Sequence, residues 1–561
     1  MVVEIAVFLQ QRTVRVNRGM ESTMHARRFS VFWILALLGV LAFPLEEMAR
    51  RSLPFRQVAI PLSSDMQGEH GQFPESLETR TAGVIGNGRV EDLKESIGQE
   101  ATTHSAKREI NEAYTISYQA GQYDVNGNFM GGTEVMKLVP SGGKLYAAIG
   151  YWEDVRGRDP LTGPQILVLD SPQGRWRVEH SFSEKLPNGR QKFVRVTELT
   201  KVTFTTDGKG RPLSPAVSML IAGLDGIGRG AIGSRNDVTG EWIEMNPEIR
   251  ELKSVRSWSF RSFALYKDPV TGIDKLYAGG GSSENGSQRG AIISGVYDPS
   301  APGRIKWDKT PEFTGFKNRV MAFAECDRRL YFAAKPALYE RTSNGSRPKW
   351  EMVYSYPQPI HPNNSGLRSL TVVQNPRGPG QVILAGMEGS GLLIRIDPTN
   401  NHSVTTELDV PRFLRERWRL PSYKDYVTPG YSGMPFIKDA VTGSYFLIIG
   451  LEAHCPLPGK QHSAWYLVRD FGGRYSLHEV PPLRLASGSS QTPSKYLSMN
   501  GSPATDMRPN LVSVRTIAIS PFPEGASHTL YLGGYDGENR PAHNTAWIYR
   551  ATLQSAILEG P

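Results

Sequence analysis

HTLYLGGYDGENRPAHNTAWIYR, residues 528–550, reads as a hairpin broken by charge. Two β-rich runs, Leu530-Tyr531-Leu532 and Ala546-Trp547-Ile548-Tyr549, flank a polar loop that holds Asp536, Glu538, Arg540 and His543. Aliphatic and aromatic residues in short alternation favour strands, and the Gly, Asn and Pro between them favour a turn. Leu530-Tyr531-Leu532 runs on into the small residues Gly533-Gly534, and Leu-Tyr with small residues behind it is the part of the stretch that recurs.

Leu-Tyr followed by small residues appears as Leu145-Tyr146-Ala147-Ala148, Leu276-Tyr277-Ala278-Gly279, Leu330-Tyr331-Phe332-Ala333 and Leu530-Tyr531-Leu532-Gly533. Degenerate copies are Leu220-Ile221-Ala222-Gly223, Ile383-Leu384-Ala385-Gly386 and Leu447-Ile448-Ile449-Gly450. Each has an apolar run before it and a loop and second β run after it, and most end on an aromatic strand around Trp176, Trp242, Trp307, Trp350 or Tyr475. The unit is therefore a four-stranded meander. Meanders that cannot bury both faces alone stack radially, which predicts an all-β fold, a seven-bladed β-propeller of four-stranded antiparallel blades. The last copy lacks its fourth strand, while residues 113–118, Ala-Tyr-Thr-Ile-Ser-Tyr, form an unpaired β run ahead of the first copy. That N-terminal strand is expected to close the seventh blade. The copies lie about 64 residues apart, longer than WD-type units of roughly 45 residues, so long loops are built in.

Over residues 111–555 the chain resembles secreted seven-bladed propellers of Kelch-like and sialidase-like type. Asp470-Phe471-Gly472-Gly473-Arg474-Tyr475 approaches the sialidase turn S/T-x-D-x-G-x-x-aromatic, with Val468 where that turn has Ser or Thr. Such turns are structural in that family, so the resemblance bears on fold and not on catalysis.

The N-terminal region sets the expected compartment. After Arg27-Arg28, residues 31–43 form a thirteen-residue apolar run that ends at Pro44. This suits a signal-peptide core better than a bilayer span of roughly 20 residues. Residues 1–43 are accordingly read as a signal peptide or N-terminal anchor, with Met20 or Met24 as alternative starts, and residues 44–110 as a polar, disordered linker. Without residues 1–43 the formal charge falls from +9 to +6. No dense Lys/Arg run marks a nucleic-acid partner, so a secreted or periplasmic protein is expected, with a membrane contact only through an uncleaved anchor. Cys326 and Cys455 fall in different repeats, and their pairing is left open. No C-x-x-C or H-E-x-x-H occurs, so neither a metal nor another cofactor is expected.

Two patterns point to a binding face. Long polar loops follow the second strands, among them residues 151–163 with Trp152 and Asp154, and residues 535–545 with Asp536 and Arg540. The first strands open on a recurring charge, as Phe260-Arg261-Ser262, Asn318-Arg319-Val320, Leu367-Arg368-Ser369 and Val514-Arg515-Thr516, with Lys201 and Glu134 read as equivalents. The sixth repeat departs, offering Tyr431, Gly433 and Met434. Guanidinium groups converging at a mouth suit a carboxylate, sulfate or phosphate, although pairing with a neighbouring Asp or Glu accounts for them equally well. The expected ligand-binding residues are Lys201, Arg261, Arg319, Arg368, Arg515, Trp152, Asp536 and Arg540, and the expected partner is an anionic small molecule or glycan. An enzyme of the same face, a glycoside hydrolase or polysaccharide lyase, would draw on Glu134, Asp154, Tyr431 or His454. A protein-interaction scaffold is the third reading. Residues 410–430 mix Phe413, Trp418, Tyr423 and Tyr426 with arginines and read either as a sugar-binding surface or as a packed cover.

Overall fold

The computed structural model describes residues 114–151, 163–227, 230–247, 249, 257–282, 290–344, 347–356, 366–376, 378–438, 443–482, 511–523, 529–535 and 544–558. The expected leader, the expected linker, Trp152, Asp154, Asp536 and Arg540 lie outside them. What is described is predominantly strand. β1 (Tyr114–Gln119) is followed by a small hairpin of β2 (Gln122–Tyr123) and β3 (Phe129–Met130). A first antiparallel meander then runs through β4 (Glu134–Ser141), β5 (Lys144–Gly150), β6 (Gln165–Leu169) and β7 (Arg177–Ser181). The next contains β8 (Phe193–Thr206), β9 (Pro212–Ile227), β10 (Ala231–Arg235) and β11 (Trp242–Met245). It is followed by β12 (Ser257–Lys267), β13 (Asp274–Gly281) and β14 (Gly290–Tyr297), whose outer edge is shared by β15 (Ile305–Trp307) and β16 (Phe313–Phe316).

Two separate four-stranded sheets come next. One is β17 (Val320–Cys326), β18 (Arg329–Ala334), β19 (Ala337–Asn344) and β20 (Arg347–Ser355). The other is β21 (Gly366–Gln374), β22 (Gln381–Glu388), β23 (Leu392–Asp397) and β24 (Ser403–Asp409). A helix, α1 (Val410–Arg417), leads to a meander whose first strand is split into β25 (Thr428–Pro429) and β26 (Phe436–Lys438), continuing through β27 (Tyr445–Glu452), β28 (Ala464–Arg469) and β29 (Tyr475–Val480). Last come β30 (Ser513–Ile519), β31 (Thr529–Tyr535) and β32 (Trp547–Thr552), with α2 (Leu553–Leu558) after them. β1 pairs antiparallel with β32, Tyr114 opposite Ala551 and Gln119 opposite Trp547, and gives this sheet its fourth strand. Among the described residues no helix is long and apolar enough to cross a membrane.

The Leu-Tyr repeat now has a physical reason. Successive residues of a strand point to opposite faces, so a second strand with both residues buried must have a neighbour on each side. Leu276 joins an apolar layer with Phe260 and Met219, while Tyr277 joins another with Val320 and Trp350. Leu530 and Tyr531 divide in the same way, Leu530 packing with Tyr466 and Tyr531 with Leu145 and Leu167. The core is thus a series of layers between sheets. The small residues behind Leu-Tyr mark where one sheet meets the first strand of the next. A Cβ at Gly223 would run into the Phe260 carbonyl, and one at Gly450 into the Val514 carbonyl, so no larger side chain fits at either.

Farther out, arginines tie neighbouring sheets together. Arg235 of β10 donates to Glu179 of β7 at 2.9 Å and lies over the Tyr146 ring. Arg341 of β19 donates to Glu312 at 2.7 Å and to Asp268 at 2.9 Å, and lies over Tyr277. Arg469 of β28 donates to Glu407 of β24 at 2.6 Å. A buried charge held by a planar fork of donors keeps its partner's sheet at a defined distance.

Two open questions from the sequence are answered here. Cys326 and Cys455 are both free, buried in different layers. Of residues 410–430, Leu414, Trp418 and Tyr423 are core, with Trp418 edge-on to Trp465 at 5.2 Å, so Trp418 and Tyr423 are packed cover.

Deleting residues 44–105 should leave the melting temperature unchanged. Deleting through residue 120 should bare the β32 edge, lower the melting temperature and promote aggregation, because the ladder donors and acceptors that face β1 lose their partners. Light scattering during a thermal ramp compares the two.

Candidate functional site

The site begins with a recurring defect in the first strands. In β4 the register skips between Val135 and Lys137, in β8 between Val196 and Glu198, and in β12 between Phe260 and Ser262. β17 skips between Val320 and Ala322, β21 between Leu367 and Ser369, and β30 between Val514 and Thr516. Each skip is a one-residue bulge, which leaves one side chain outside the ladder and re-aims it. The re-aimed residues are Met136, Thr197, Arg261, Met321, Arg368 and Arg515.

This corrects the equivalences expected from sequence. Arg261, Arg368 and Arg515 do share a position, but Arg319 stands two residues before the bulge of its strand, as Glu134 and Arg195 do in theirs. Lys201 lies farther along β8 opposite Leu220, is exposed, and is not their counterpart. Five of the bulge residues, Met136, Thr197, Arg261, Met321 and Arg368, and their successors line a cavity of about 160 Å³. Its cationic side is formed by Arg261, Arg368 and Lys137, and Phe263, Met321 and Phe323 contribute an apolar wall. The second strands end beside the bulges, Gly150 opposite Glu134 in β5, so the long loops leave from the cavity end of the sheets.

Tyr431 completes the lining from the sixth meander. There the first strand is interrupted between Pro429, paired with Leu451, and Phe436, paired with Leu447, and the excursion carries Tyr431 inward. Gly430 and Gly433 turn the chain at φ +66° and +121°, values open chiefly to glycine. The Arg368 guanidinium lies 3.6 Å from the Tyr431 ring centroid, Arg515 lies 3.9 Å from it, and Arg515 is also 3.7 Å from the Tyr535 ring. Two cations and two rings are therefore stacked across three meanders.

Most of these charges are compensated. Arg515 donates to Glu134, whose other oxygen is 3.7 Å from Arg195, and Arg195 in turn pairs with Asp225 at 2.8 Å. Arg368 donates to Glu388 at 3.2 Å, and Lys335 and Tyr426 also donate to Glu388. Burial works to raise the Glu388 carboxyl, but Arg368 and Lys335 hold it down at about 2, so it is ionised. Lys137 pairs with Glu198 at 3.2 Å and donates to the Ser432 carbonyl.

Arg261 and Arg319 are the exception. Neither has an ion-pair partner among the described residues, and the Arg261 Nε is buried without an acceptor. Arg261 is only 5% exposed. Burial, then the like charges of Arg319 and Arg195, push its guanidinium well below the ordinary range, and burial with Arg195 and Arg368 brings Arg319 down to about 10. Burial tends to raise the Tyr431 hydroxyl, but Arg368, Arg515 and Arg261 outweigh it and pull the phenol down to about 8. The cavity is positive beyond what its own carboxylates offset.

Of the residues expected from sequence, Arg261, Arg368 and Tyr431 line the cavity, Arg515 lies behind Tyr431, and Glu134 is committed to Arg515. His454 is not among the lining residues, and its carbonyl accepts from Tyr423 at 2.8 Å. Sequence reasoning missed Lys137, Thr197, Glu198, Arg195 and Glu388. Among the described residues no group of His, Cys, Asp or Glu is arranged to hold a metal ion.

No family model matches the chain, and no curated protein matches it. Among solved structures, the extracellular domain of a one-component system from B. thetaiotaomicron is similar at 12% identity and TM-score 0.39, over 79% of this chain and 40% of that one. The chain thus spans well under half of that relative. An alpha-l-arabinofuranosidase from Fusarium graminearum, in complex with an iminosugar inhibitor, has 9% identity and TM-score 0.39 over 80% of this chain and all of its own. The Dos1 propeller has 12% identity and TM-score 0.32 over 58% of this chain and 69% of that one.

An unpaired buried cation costs stability that an apolar side chain of similar length does not. Arg261→Met is therefore expected to stabilise the protein by about 1 to 4 kcal/mol, measured by denaturant unfolding.

Proposed function

We propose that this chain is an extracytoplasmic seven-bladed β-propeller, closed by β1, that binds an anionic ligand, an acidic carbohydrate in particular, at the end of the sheets from which the long loops leave. Three observations support the architecture. Each meander shares an apolar layer with the next, Tyr531 of the last sheet packs with Leu145 of the first, and β1 supplies the last sheet's outer strand. The apolar run at residues 31–43 supports export.

The observation that carries the ligand is Arg261, a buried guanidinium with no ion-pair partner among the described residues, aimed into a cavity beside a second, paired arginine. A carboxylate or sulfate placed there supplies the missing acceptors at no further desolvation of the arginine. The apolar wall of Phe263 and Phe323 suits the C–H face of a sugar ring, and Glu198 faces the same space as an acceptor for hydroxyl groups. The volume fits one terminal residue, so a polymer's remaining length would lie among the loops. A recess of this polarity differs from the flat apolar patch of a protein-interaction scaffold.

A second reading, glycoside hydrolase or polysaccharide lyase, has one observation in its favour. Beside the same arginines burial raises the Glu452 carboxyl, opposed by Arg515 and Tyr535, while Glu388 is held at about 2. Carboxyls driven apart in this way divide acid and base roles.

Sulfate and glucuronate should raise the melting temperature of the wild type, and glucose should not. In Arg261→Met the affinity for both anions should drop about ten- to a hundredfold, the range of one or two charge-assisted hydrogen bonds. Calorimetry that finds equal anion binding in the two proteins removes the basis of this function. Breakdown of a polyuronide that Glu388→Gln abolishes selects the enzyme reading instead.

A further inference from the structure

We infer that Tyr431 is the cavity's own counter-ion: as a phenolate it occupies the field of Arg261, Arg368 and Arg515, so anion binding and loss of the Tyr431 proton exclude one another. This rests on the anion-binding reading above and adds its regulation.

The geometry allows little else for the ring. Its two faces are taken by guanidinium groups at 3.6 and 3.9 Å, which fixes its plane, and its excursion enters the same cavity that Arg261 and Arg368 line. Charged neighbours surround it from every side. Arg261 of β12, Arg368 of β21, Arg515 of β30 and Arg319 ahead of β17 favour a negative phenol oxygen. Glu134 of β4 opposes it, and Tyr535 of β31 lies beyond Arg515. Lys137 of β4, paired with Glu198 of β8, is hydrogen-bonded to the next residue's carbonyl. Cations dominate this set, so the phenol is held at about 8, and the proton it releases goes to solvent. Below that pH the ring is neutral, and Arg261 and Arg319 have no ion-pair partner among the described residues. Above it the phenolate supplies one, and a ligand that arrives must either displace that charge or restore the proton.

One group complicates the reading. Burial, opposed by Glu388, brings the Lys335 ammonium down to about 8, so it titrates over the same range and would weaken anion binding in the same direction. Tyr431→Phe separates the two, because it keeps the stacked ring and Lys335 while removing the hydroxyl.

Sulfate is the probe, since its charge does not change over this range. With the full-length wild type, calorimetry should find sulfate bound about tenfold more weakly at pH ~9 than at pH ~7, the slope of one linked proton. Tyr431→Phe keeps Lys335, so it should lose only the share that Lys335 contributes, a fall several-fold smaller than that of the wild type. Without ligand, the difference in tyrosinate absorbance between the two proteins should titrate with a midpoint of about 8. An equal fall in Tyr431→Phe, a wild type that binds equally at both pH values, or a tyrosinate midpoint at the ordinary tyrosine value near ~10 overturns the role of Tyr431. Absence of sulfate binding to both proteins at both pH values overturns it through the reading beneath it, and is told apart because the tyrosinate midpoint then stands alone.

Discussion

The close approach of one sheet to the first strand of the next is the constraint on which the remaining features depend. Where the second strand of a meander meets its neighbour, backbone lies on backbone: Gly223 against the Phe260 carbonyl, Gly386 against that of Pro429, Gly450 against that of Val514. This contact brings the first strands near enough for bulge residues of different sheets to face one space, and it leaves the wider gaps outward to be filled by Leu and Tyr and fastened by arginines such as Arg341.

The same convergence explains the electrostatics. Strands that open at one end toward a common centre bring their side chains together whether or not the charges match, and burial there makes each mismatch costly. Most of the mismatch is relieved internally. Glu134 answers Arg515, Asp225 answers Arg195, and Glu388 gathers Arg368, Lys335 and Tyr426. What is left over, at Arg261 and Arg319, is a positive field concentrated in a small volume. Residual charge in a site made otherwise with full pairing is where a binding role costs the fold most and has most to offer a ligand.

Much of the fold was legible because its strongest rule is local. Leu-Tyr and the small residues after it are adjacent in the chain, so a period showed through even where Tyr gave way to Ile or Leu. Three site arginines were legible for the same reason, each following an apolar residue and preceding Ser or Thr. Register was not. A bulge adds one residue without any mark in the sequence, and Arg319 therefore looked like the counterpart of Arg261 although Met321 holds that place. Counting back from the partner strand, Ala334 and Ala333 against Gly280 and Gly279, is the signal that would have shown it. Glu388 and Lys137 escaped because nothing beside them in the chain reveals the residues they meet across sheets.

Because a bulged side chain stands outside the ladder, its identity is answerable to what it meets there: Thr197 donates to the Gly223 and Phe260 carbonyls and Arg368 to Glu388. Met136, Thr197, Arg261, Met321, Arg368 and Arg515 occupy one structural position with three different chemistries, and the strands around them keep the same pairing. Five of the six, Met136, Thr197, Arg261, Met321 and Arg368, line the cavity, so its chemistry can change one residue at a time while the strand pairing stays.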